Sequence, residues 1–339
     1  MKHFMFTVAC VSLILAFVAV RPAYAATRYI DSMFDNVKTT KDVSYGTYNA
    51  LTLDIYEPEG DTETKRAAII WIHGGSFYAG DKSQYGKNGN LGAAPEYAKR
   101  GYVSIPINYR LQNHPVVPAS PDIGAATQQA KYDAMAAVRW VRAHANEYRI
   151  DPNRIIVGGS SAGAWTSLYV AYDTGNVGTS GNPGIASNVA AAVSFAGGMS
   201  PGDRELITRG EPPAIFLHGA NDTVVPIGLP TAVFNQLQSL NIPSEFHTYP
   251  GGHGAANTAD AHEKVRRFLM TTLKLDQASF IGDLDGNGVV NIVDFTLLMN
   301  HWFTNNIAKI DFNHDGKVSV IDYTIFMNSW YAYLTTQGT

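Results

Sequence analysis

Three side chains that together could perform nucleophilic catalysis each follow an apolar segment of the chain. Ser161 is the centre of Gly159–Gly163, a Gly-Ser-Ser-Ala-Gly turn after RIIV, and Asp222 and His253 lie in the later segments HGAND and PGGHG. In such a set the histidine takes the serine proton and returns it to the leaving group, while the carboxylate orients the imidazole. The chain order serine, acid, histidine is a known arrangement of this set. The residues therefore predict Ser161 as nucleophile, His253 as base and Asp222 as orienting acid.

Ser160 is the competing nucleophile within the same turn. Centring the motif on Ser160 would place Ala162 where the second glycine belongs, which favours Ser161. Glycines are needed there because a nucleophile in a tight strand-to-helix turn leaves no room for neighbouring side chains. A lone turn of this kind is also compatible with an ordinary glycine turn, so the prediction depends on the acid and base that follow.

His253 is one of ten histidines in the chain, so some histidine after the serine is expected by chance. His253 is distinguished by its glycine neighbours and by the strand-like segment EFHTY before it. We interpret His218 and His247 as structural, and we expect His262, on a predicted amphipathic helix, to be solvated.

A fourth component is the segment His73–Phe77, HGGSF, which follows the apolar run AAIIWI. Its backbone N–H groups, together with the amide of Ala162, are suited to stabilising a developing oxyanion. The alternative is a tight strand-to-loop turn without a chemical role. Four components in the right order and context favour the catalytic interpretation.

The elements that must position these residues are strands and helices that alternate between about residues 26 and 275. This alternation predicts an α/β domain with a mostly parallel sheet. Short apolar runs such as AAIIWI and PAIFL are typical of strands buried on both faces, whereas LTLDIYEP alternates and predicts a half-exposed strand. Two segments, QQAKYDAMAAVRWVRAHANEY and TADAHEKVRRFLMTTLKL, have helical spacing, and Thr258 or Asp260 is expected to cap the second.

The N-terminal residues 1–25 predict a secretory signal peptide, because Lys2 precedes a long apolar run that ends in Ala23-Tyr24-Ala25. An uncleaved membrane anchor is the alternative. Cleavage after Ala25 would remove Cys10, the single cysteine among 339 residues, and with it any disulfide or thiolate chemistry. A formal net charge of −4 without a basic run argues against a nucleic-acid partner. We expect a secreted protein with no membrane partner.

A second unit follows a short linker at residues 276–280. Residues 283–302 and 311–330 repeat one pattern, DLDGNGVVNIVDFTLLMNHW and DFNHDGKVSVIDYTIFMNSW. Oxygen-bearing residues at alternate positions with glycine sixth are typical of EF-hand-like Ca²⁺ loops, and acidic turns without metal are the alternative. The predicted ligands are Asp283, Asp285, Asn287, the Val289 carbonyl, Asn291 through water and Asp294, then Asp311, Asn313, Asp315, the Lys317 carbonyl, Ser319 through water and Asp322.

The stretch 51–275 resembles α/β-hydrolases of the bacterial carboxylesterase, lipase and feruloyl-esterase-like group. The motifs that carry the resemblance are WIHGGSF, NYRL, AVRWVRAHANEYRIDPNRIIVGGSSAGA, HGANDTVVP and GGHG. Many relatives have a third glycine at position 76, but a backbone amide survives the change to serine. The resemblance implies a triad of Ser161, Asp222 and His253, and an oxyanion hole formed by the amides of Gly75, Ser76 and Ala162.

Four aromatic side chains lie near these motifs in the sequence: Tyr78, Tyr85, Tyr109 and Trp165. They are candidates for an aromatic wall of the ligand cleft, and packing in the core is the alternative for each of them. Such a wall would suit an ester carried on a polymer.

Residues 281–335 resemble a type I dockerin, because each loop ends in aspartate and a helix follows each loop but does not precede it. The resemblance implies two structural Ca²⁺ ions and, as partner, a cohesin domain of a scaffold protein. The family reads its cohesin partly through the tenth and eleventh loop positions and the following helix. The corresponding residues, which we predict to bind the partner, are Ile292, Val293, Met299, Val320, Ile321 and Met327.

Together these expectations describe a secreted serine esterase that acts on acetyl or feruloyl esters of plant cell-wall polysaccharide and is tethered to a cohesin scaffold. We expect no cofactor in catalysis. A general short-chain carboxylesterase or lipase is the alternative. A serine peptidase of the prolyl-oligopeptidase type shares the triad order, but that family adds a large propeller domain for which no segment here is long enough. A non-catalytic binding protein on the same scaffold is disfavoured by the intact serine, aspartate and histidine.

Overall fold

A computed structural model describes most of the region in which the three candidate catalytic residues lie and part of the two C-terminal repeats. The described residues are 27–86, 93–275, 282, 284, 290–302, 310–312 and 318–336. The predicted signal peptide, residues 1–25, lies outside them.

Among the described residues, eight strands form one sheet in the order β1-β2-β4-β3-β5-β6-β7-β8. The β1–β2 and β2–β4 pairs are antiparallel, and every other neighbouring pair is parallel. The prediction of a mostly parallel α/β sheet is therefore confirmed. The strands are β1 (Val37–Ser44), β2 (Thr52–Pro58), β3 (Arg66–Ile72), β4 (Val103–Ile107), β5 (Ile150–Ser160), β6 (Ala191–Phe195), β7 (Ala214–Gly219) and β8 (Ser244–Tyr249).

In the part of the chain that the structure describes, five α-helices cover the two faces of this sheet: α1 (Ala93–Ala98), α2 (Ile123–Ala143), α3 (Ala162–Tyr172), α4 (Gly228–Ser239) and α5 (Ala259–Thr272). Helices α2, α3 and α4 share one hydrophobic core, and α1 and α5 share the other. Alternate residues of β3 enter the two cores, as expected for a strand buried on both faces. The Thr258 side chain caps α5 by accepting a hydrogen bond from the Ala261 amide.

Strand β2 was expected to be half exposed, and this prediction is wrong. After its first residue the strand is buried throughout. Its polar residues do not face water but enter ion pairs: Lys82 Nζ lies 2.8 Å from Asp54, and Arg66 lies 2.8 Å from Glu57. The alternation was real, but it reflected buried pairs on an internal strand between β1 and β4 rather than a solvated face.

The C-terminal repeats contribute helices α6 (Ile292–Trp302) and α7 (Val320–Thr336), each starting at the tenth position of its loop. A small core joins them through Val290, Leu298, Ile310 and Phe326, all fully buried. Across the described part of the chain, no helix combines the length and the apolar character that crossing a membrane requires.

Candidate active site

The proposed nucleophile sits in a strained turn between β5 and α3. Ser161 has φ 56° and ψ −120°, a left-handed conformation that costs a non-glycine residue of order 1–3 kcal/mol. Its amide donates a 2.8 Å hydrogen bond to the Phe195 carbonyl at the end of β6, which helps to hold the turn. The glycine at 163 is required by close packing, because a Cβ there would lie 1.9 Å from the Ile72 carbonyl oxygen.

The three candidate residues converge at the carboxyl edge of the sheet. Ser161 follows β5, Asp222 follows β7 and His253 follows β8. Ser161 Oγ lies 2.8 Å from His253 Nε2, and His253 Nδ1 lies 2.8 Å from Asp222 Oδ2. A hydroxyl, an imidazole and a carboxylate are thus joined in one chain of hydrogen bonds, which is the geometry that proton transfer from the hydroxyl requires.

The Asp222 carboxylate is held in its charged form by several donors. Oδ1 accepts hydrogen bonds from the amides of Val224 at 2.8 Å and Val225 at 3.0 Å. Burial alone would raise the pKa of Asp222, but the hydrogen bonds from His253 and from these two amides more than offset it, and the pKa is lowered below its ordinary value. The acid therefore stays ionised and can stabilise a protonated His253.

The loop after β3 passes directly beside the nucleophile. A Cβ at Gly74 would lie 3.2 Å from the Ser161 Cβ. The next residues are all left-handed, with φ 111° at Gly75 and 52° at Ser76, and the Ser76 carbonyl is fixed by a 2.8 Å hydrogen bond from the Val116 amide. Ala162 is the first residue of α3, so its N–H has no intrahelical partner. The structure thus brings the proposed oxyanion amides and Ser161 into one region.

A small, largely apolar pocket opens to solvent beside the nucleophile. Its walls come from the loops after β3 and β7, the segment before α2, and α3. Apart from the Ser76 and Ser161 hydroxyls, the lining side chains are apolar. The lining residues are Ser76, Phe77, Val116, Val117, Pro118, Ile123, Ser161, Ala162, Trp165, Val224 and Val225.

The expected aromatic wall is mostly absent from this cavity. Trp165 lines it, but Tyr85 stacks on Trp71 with ring centroids 5.2 Å apart, and Tyr109 stacks on His73 at 4.4 Å. Tyr78 is 46% exposed and is not among the lining residues. Phe77 is a second aromatic lining residue, and the rest of the wall is largely aliphatic, formed by residues 116–118, 123, 224 and 225, which sequence reasoning missed. Two features of the sequence could have indicated this wall: the apolar pair Val224-Val225, shortly after Asp222, and the PVVP run at 115–118.

The three other histidines that the sequence analysis singled out lie in different environments. His247 pairs with Glu245 at 2.8 Å on the edge strand. His218 is buried against Asp222 and lies 3.1 Å from its Oδ2. The expectation that His262 is solvated is wrong: its ring packs 4.9 Å from that of Phe195 and its pKa is lowered to about 4, chiefly by burial.

The described members of the two C-terminal loops are held alike. Asp294 Oδ1 accepts from the Leu284 amide at 2.8 Å, and its Oδ2 accepts from the Asn291 amide at 2.9 Å. Asp322 accepts from the amides of Phe312 at 2.8 Å and Ser319 at 2.7 Å. The same two loop positions are therefore tied to the terminal aspartate in both repeats.

The donor chemistry of these loops fits Ca²⁺. Asp294, Asp311 and Asp322 are buried carboxylates, and Asn291 and Ser319 add further oxygen atoms. Within the described residues no group of three or more His, Cys, Asp or Glu side chains is placed to hold a metal ion. Several predicted ligands lie outside the described residues: Asp283, Asp285, Asn287, Val289, Asn313, Asp315 and Lys317.

Most of the predicted partner-binding residues are exposed. The side chains of Ile292, Val293, Val320 and Ile321 are 61%, 50%, 72% and 52% exposed. Met327 is also exposed, whereas Met299 is half-buried. Large apolar side chains that remain in water at equivalent places in two repeats are typical of a binding surface.

Two regions of the chain match models of known protein families. Residues 53–200 match the family BD-FAE, and residues 281–329 match the dockerin type I domain. The resemblances to serine esterases and to type I dockerins are thereby confirmed.

Curated relatives include esterases from several organisms. The chain is 28% identical over 272 residues to the probable carboxylic ester hydrolase LipM of Mycobacterium tuberculosis, covering 66% of this chain and 59% of the relative. It is 31% identical over 126 residues to the fumonisin B1 esterase of Sphingopyxis macrogoltabida, covering 34% of this chain and 22% of the relative. The chain thus spans only about a fifth to three fifths of the length of these two proteins.

Solved structures with the same fold are also esterases. A truncated carbohydrate esterase from gut microbiota superposes with a TM-score of 0.58 at 22% identity, covering 71% of this chain and 98% of the other. Esterase 2 of Thermogutta terrifontis with propionate bound gives a TM-score of 0.56 at 20% identity, covering 74% and 98%. At this level of identity the likeness shows the fold alone.

Proposed function

We propose that this chain is a serine hydrolase of carboxylic esters, with Ser161, His253 and Asp222 as its catalytic triad. The observation that carries the proposal is the unbroken chain of 2.8 Å contacts from Ser161 Oγ through His253 to Asp222 Oδ2. The matched BD-FAE family and the esterase relatives support the same reaction class.

Ester cleavage by this geometry would proceed in two halves. His253 Nε2 takes the proton from Ser161 Oγ as the oxygen attacks the ester carbonyl, and the amides of Gly75, Ser76 and Ala162 stabilise the oxyanion. Collapse of the tetrahedral intermediate breaks the bond to the alcohol, which leaves with the proton from His253. A water molecule then repeats the sequence on the acyl-enzyme and releases the acid.

We propose acetyl or feruloyl groups on plant cell-wall polysaccharide as the substrates. The cavity wall beside Ser161 carries no charged side chain among its lining residues, which favours an uncharged acyl group. The dockerin match and a structural neighbour described as a carbohydrate esterase support a polysaccharide. A general short-chain carboxylesterase is the second candidate, favoured by the small size of the cavity.

For the C-terminal unit we propose calcium-dependent docking to a cohesin. Residues 26–275 would form the catalytic domain, 276–280 the linker and 281–335 the dockerin with two Ca²⁺ ions. Bound Ca²⁺ would supply the positive charge that balances the buried loop carboxylates. Secretion after cleavage at Ala25 would bring the enzyme to an extracellular scaffold.

The test of activity is the comparison of the mature chain with its Ser161→Ala variant on p-nitrophenyl acetate. We expect loss of nearly all turnover, on the order of 10⁴-fold or more. Full activity in the variant would refute the proposal. A panel of acetylated and feruloylated xylans then separates the two polysaccharide esters from a general esterase, which would cleave only the small ester. An aminopeptidase assay tests the peptidase alternative.

A further inference from the structure

A second histidine lies against the triad acid. His218 is in β7, only 1% exposed, and its Nε2 lies 2.8 Å from the Val225 carbonyl oxygen. The same Nε2 lies 3.1 Å from Asp222 Oδ2, the oxygen that also faces His253. Its other ring nitrogen, Nδ1, is buried and has no hydrogen-bond partner among the described residues.

These contacts determine which ring nitrogen of His218 carries the proton. A carbonyl and a carboxylate can only accept, so the nitrogen that faces both of them must be the N–H. Nδ1 then carries no proton, so it has no N–H group that would need an acceptor at this buried position. Burial lowers the pKa of His218, so the ring stays neutral beside Asp222 and His253, the titratable groups that act on it.

We propose that His218 is a positioning residue for the triad acid: its neutral Nε2–H donates to the Val225 carbonyl and lies 3.1 Å from Asp222 Oδ2, so that its partial positive charge faces the carboxylate. The proposal rests on the proposed esterase function. The Asp222 carboxylate then accepts three hydrogen bonds, from two backbone amides at Oδ1 and from His253 at Oδ2, and the His218 Nε2–H lies 3.1 Å from Oδ2 as a fourth polar neighbour. Only His253 contacts Ser161, so only His253 moves a proton.

The same contact couples the acid to the cavity wall. The amide of Val225 donates to Asp222 Oδ1, its carbonyl accepts from His218, and its side chain lines the cavity beside Ser161. The turn from Asp222 to Val225 is therefore fixed at both ends by the carboxylate and the buried imidazole. Loss of the imidazole N–H would release the carboxylate and the wall together.

The test compares His218→Met, which keeps similar bulk without a donor, with His218→Gln, which returns an N–H near the position of Nε2. We expect kcat/KM on p-nitrophenyl acetate to fall about tenfold in the methionine variant. The acid limb of its kcat/KM profile should move to higher pH, because a carboxylate that has lost this neighbouring N–H attracts the proton on His253 more strongly. The glutamine variant should regain most of the activity and the original limb.

Equal losses in both variants with an unmoved acid limb would reduce His218 to a packing residue and overturn the proposal, as would unchanged activity in the methionine variant. Imidazole nitrogen NMR on the unsubstituted protein provides a measurement that depends on neither folding of a variant nor esterase activity. We expect His218 to be neutral and protonated on Nε2 between pH 6 and 8, roughly the range in which an ordinary histidine titrates. A ring that carries its proton on Nδ1, or that titrates in this range, overturns the proposal even if the proposed esterase activity holds.

Discussion

The acid of the proposed triad and the acids that end the two C-terminal loops are all buried carboxylates, yet the protein surrounds them differently. Asp222 receives two backbone amides on one oxygen and faces two imidazoles on the other. Asp294 and Asp322 are fully buried, and in each repeat their oxygens accept from two backbone amides.

The two kinds of site differ in where the positive charge that balances the carboxylate comes from. At Asp222 the positive charge arises within the protein, when His253 takes the serine proton. In the proposed Ca²⁺ loops a bound cation would supply the positive charge, because backbone amides carry only partial charges. The comparison therefore predicts that chelators act on the repeats and leave the catalytic residues untouched.

The largest effect is expected for Asp222→Asn. The amide cannot stabilise protonated His253, and we expect kcat to fall about 10⁴-fold, as removal of the charge in other serine triads does. Calcium binding measured by titration calorimetry should be unchanged, because the variant lies outside the loops. A loss of calcium binding together with activity would contradict the separation of the two sites.

The next effect is expected for Asp294→Ala and Asp322→Ala, which remove the buried carboxylate from one loop each. Ligand charge tunes the affinity of such loops over several orders of magnitude, so we expect the affinity of the altered loop for Ca²⁺ to fall by at least about tenfold. Calorimetry measures the affinity, and kcat/KM on p-nitrophenyl acetate should stay the same. Asp260→Ala, an exposed acid outside the loops, is the matched control and should change neither quantity.

The outline of the fold and the residues of the proposed triad could be predicted because both are encoded in short, local sequence patterns. Apolar runs that end in glycine predict buried strands, and residues that follow parallel strands meet at one edge of the sheet. The cavity wall was not predictable in this way. Val117 and Val224 are far apart in sequence and meet only because the loops after different strands converge.

Polar residues whose partners are distant in the sequence caused the two wrong expectations. Asp54 and Glu57 gave β2 the pattern of a half-exposed strand, but cations from outside that strand, Lys82 and Arg66, pair with them. His262 lies on an amphipathic helix and was expected to face water, yet the aromatic rings of Trp71 in β3 and Phe195 in β6 lie against it. In both cases the partner comes from elsewhere in the chain, and local periodicity carries no information about it.

His262 also gives the third prediction, which concerns stability rather than catalysis. Burial, and then the charges of Arg266 and Arg100, lower its pKa to about 4 in the folded protein, against about 6.5 in an unfolded chain. The stabilising contribution is therefore complete above about pH 6.5 and is lost as the pH falls toward 4, because only the unfolded chain binds the proton in that window.

We expect the Tm of the native chain to fall over this interval more steeply than that of a His262→Phe variant. A difference of about 1 kcal/mol corresponds to roughly 2–4 °C for a domain of about 150–250 residues. Calorimetric scans at pH 7 and pH 5 measure it. Equal slopes would show that the imidazole is not excluded from water in solution. His247→Phe, at the exposed Glu245 pair, is the control and should leave the slope nearly unchanged.

The smallest effect is expected for Ser76→Gly, in the oxyanion loop. Ser76 has φ 52°, so glycine removes about 1–2 kcal/mol of left-handed strain, while its extra freedom in the unfolded chain costs about 0.5–1 kcal/mol. The relieved strain is the larger of the two effects, so Tm should stay the same or rise slightly. The backbone amide is retained, so kcat/KM on p-nitrophenyl acetate should stay within about threefold, whereas loss of an oxyanion donor typically costs on the order of 10²–10³.

Removal of the Ser76 side chain also widens the cavity that it lines, so larger acyl groups should gain relative to acetate. The control is Ser76→Ala, which removes the hydroxyl but keeps the Cβ and the strain. If both variants lose activity by more than about tenfold, the hydroxyl itself contacts the substrate, and the proposed oxyanion hole must include a side chain as well as amides. The catalytic site would then resemble the proposed Ca²⁺ loops in one respect: side-chain oxygens, and not only backbone groups, would contact the ligand.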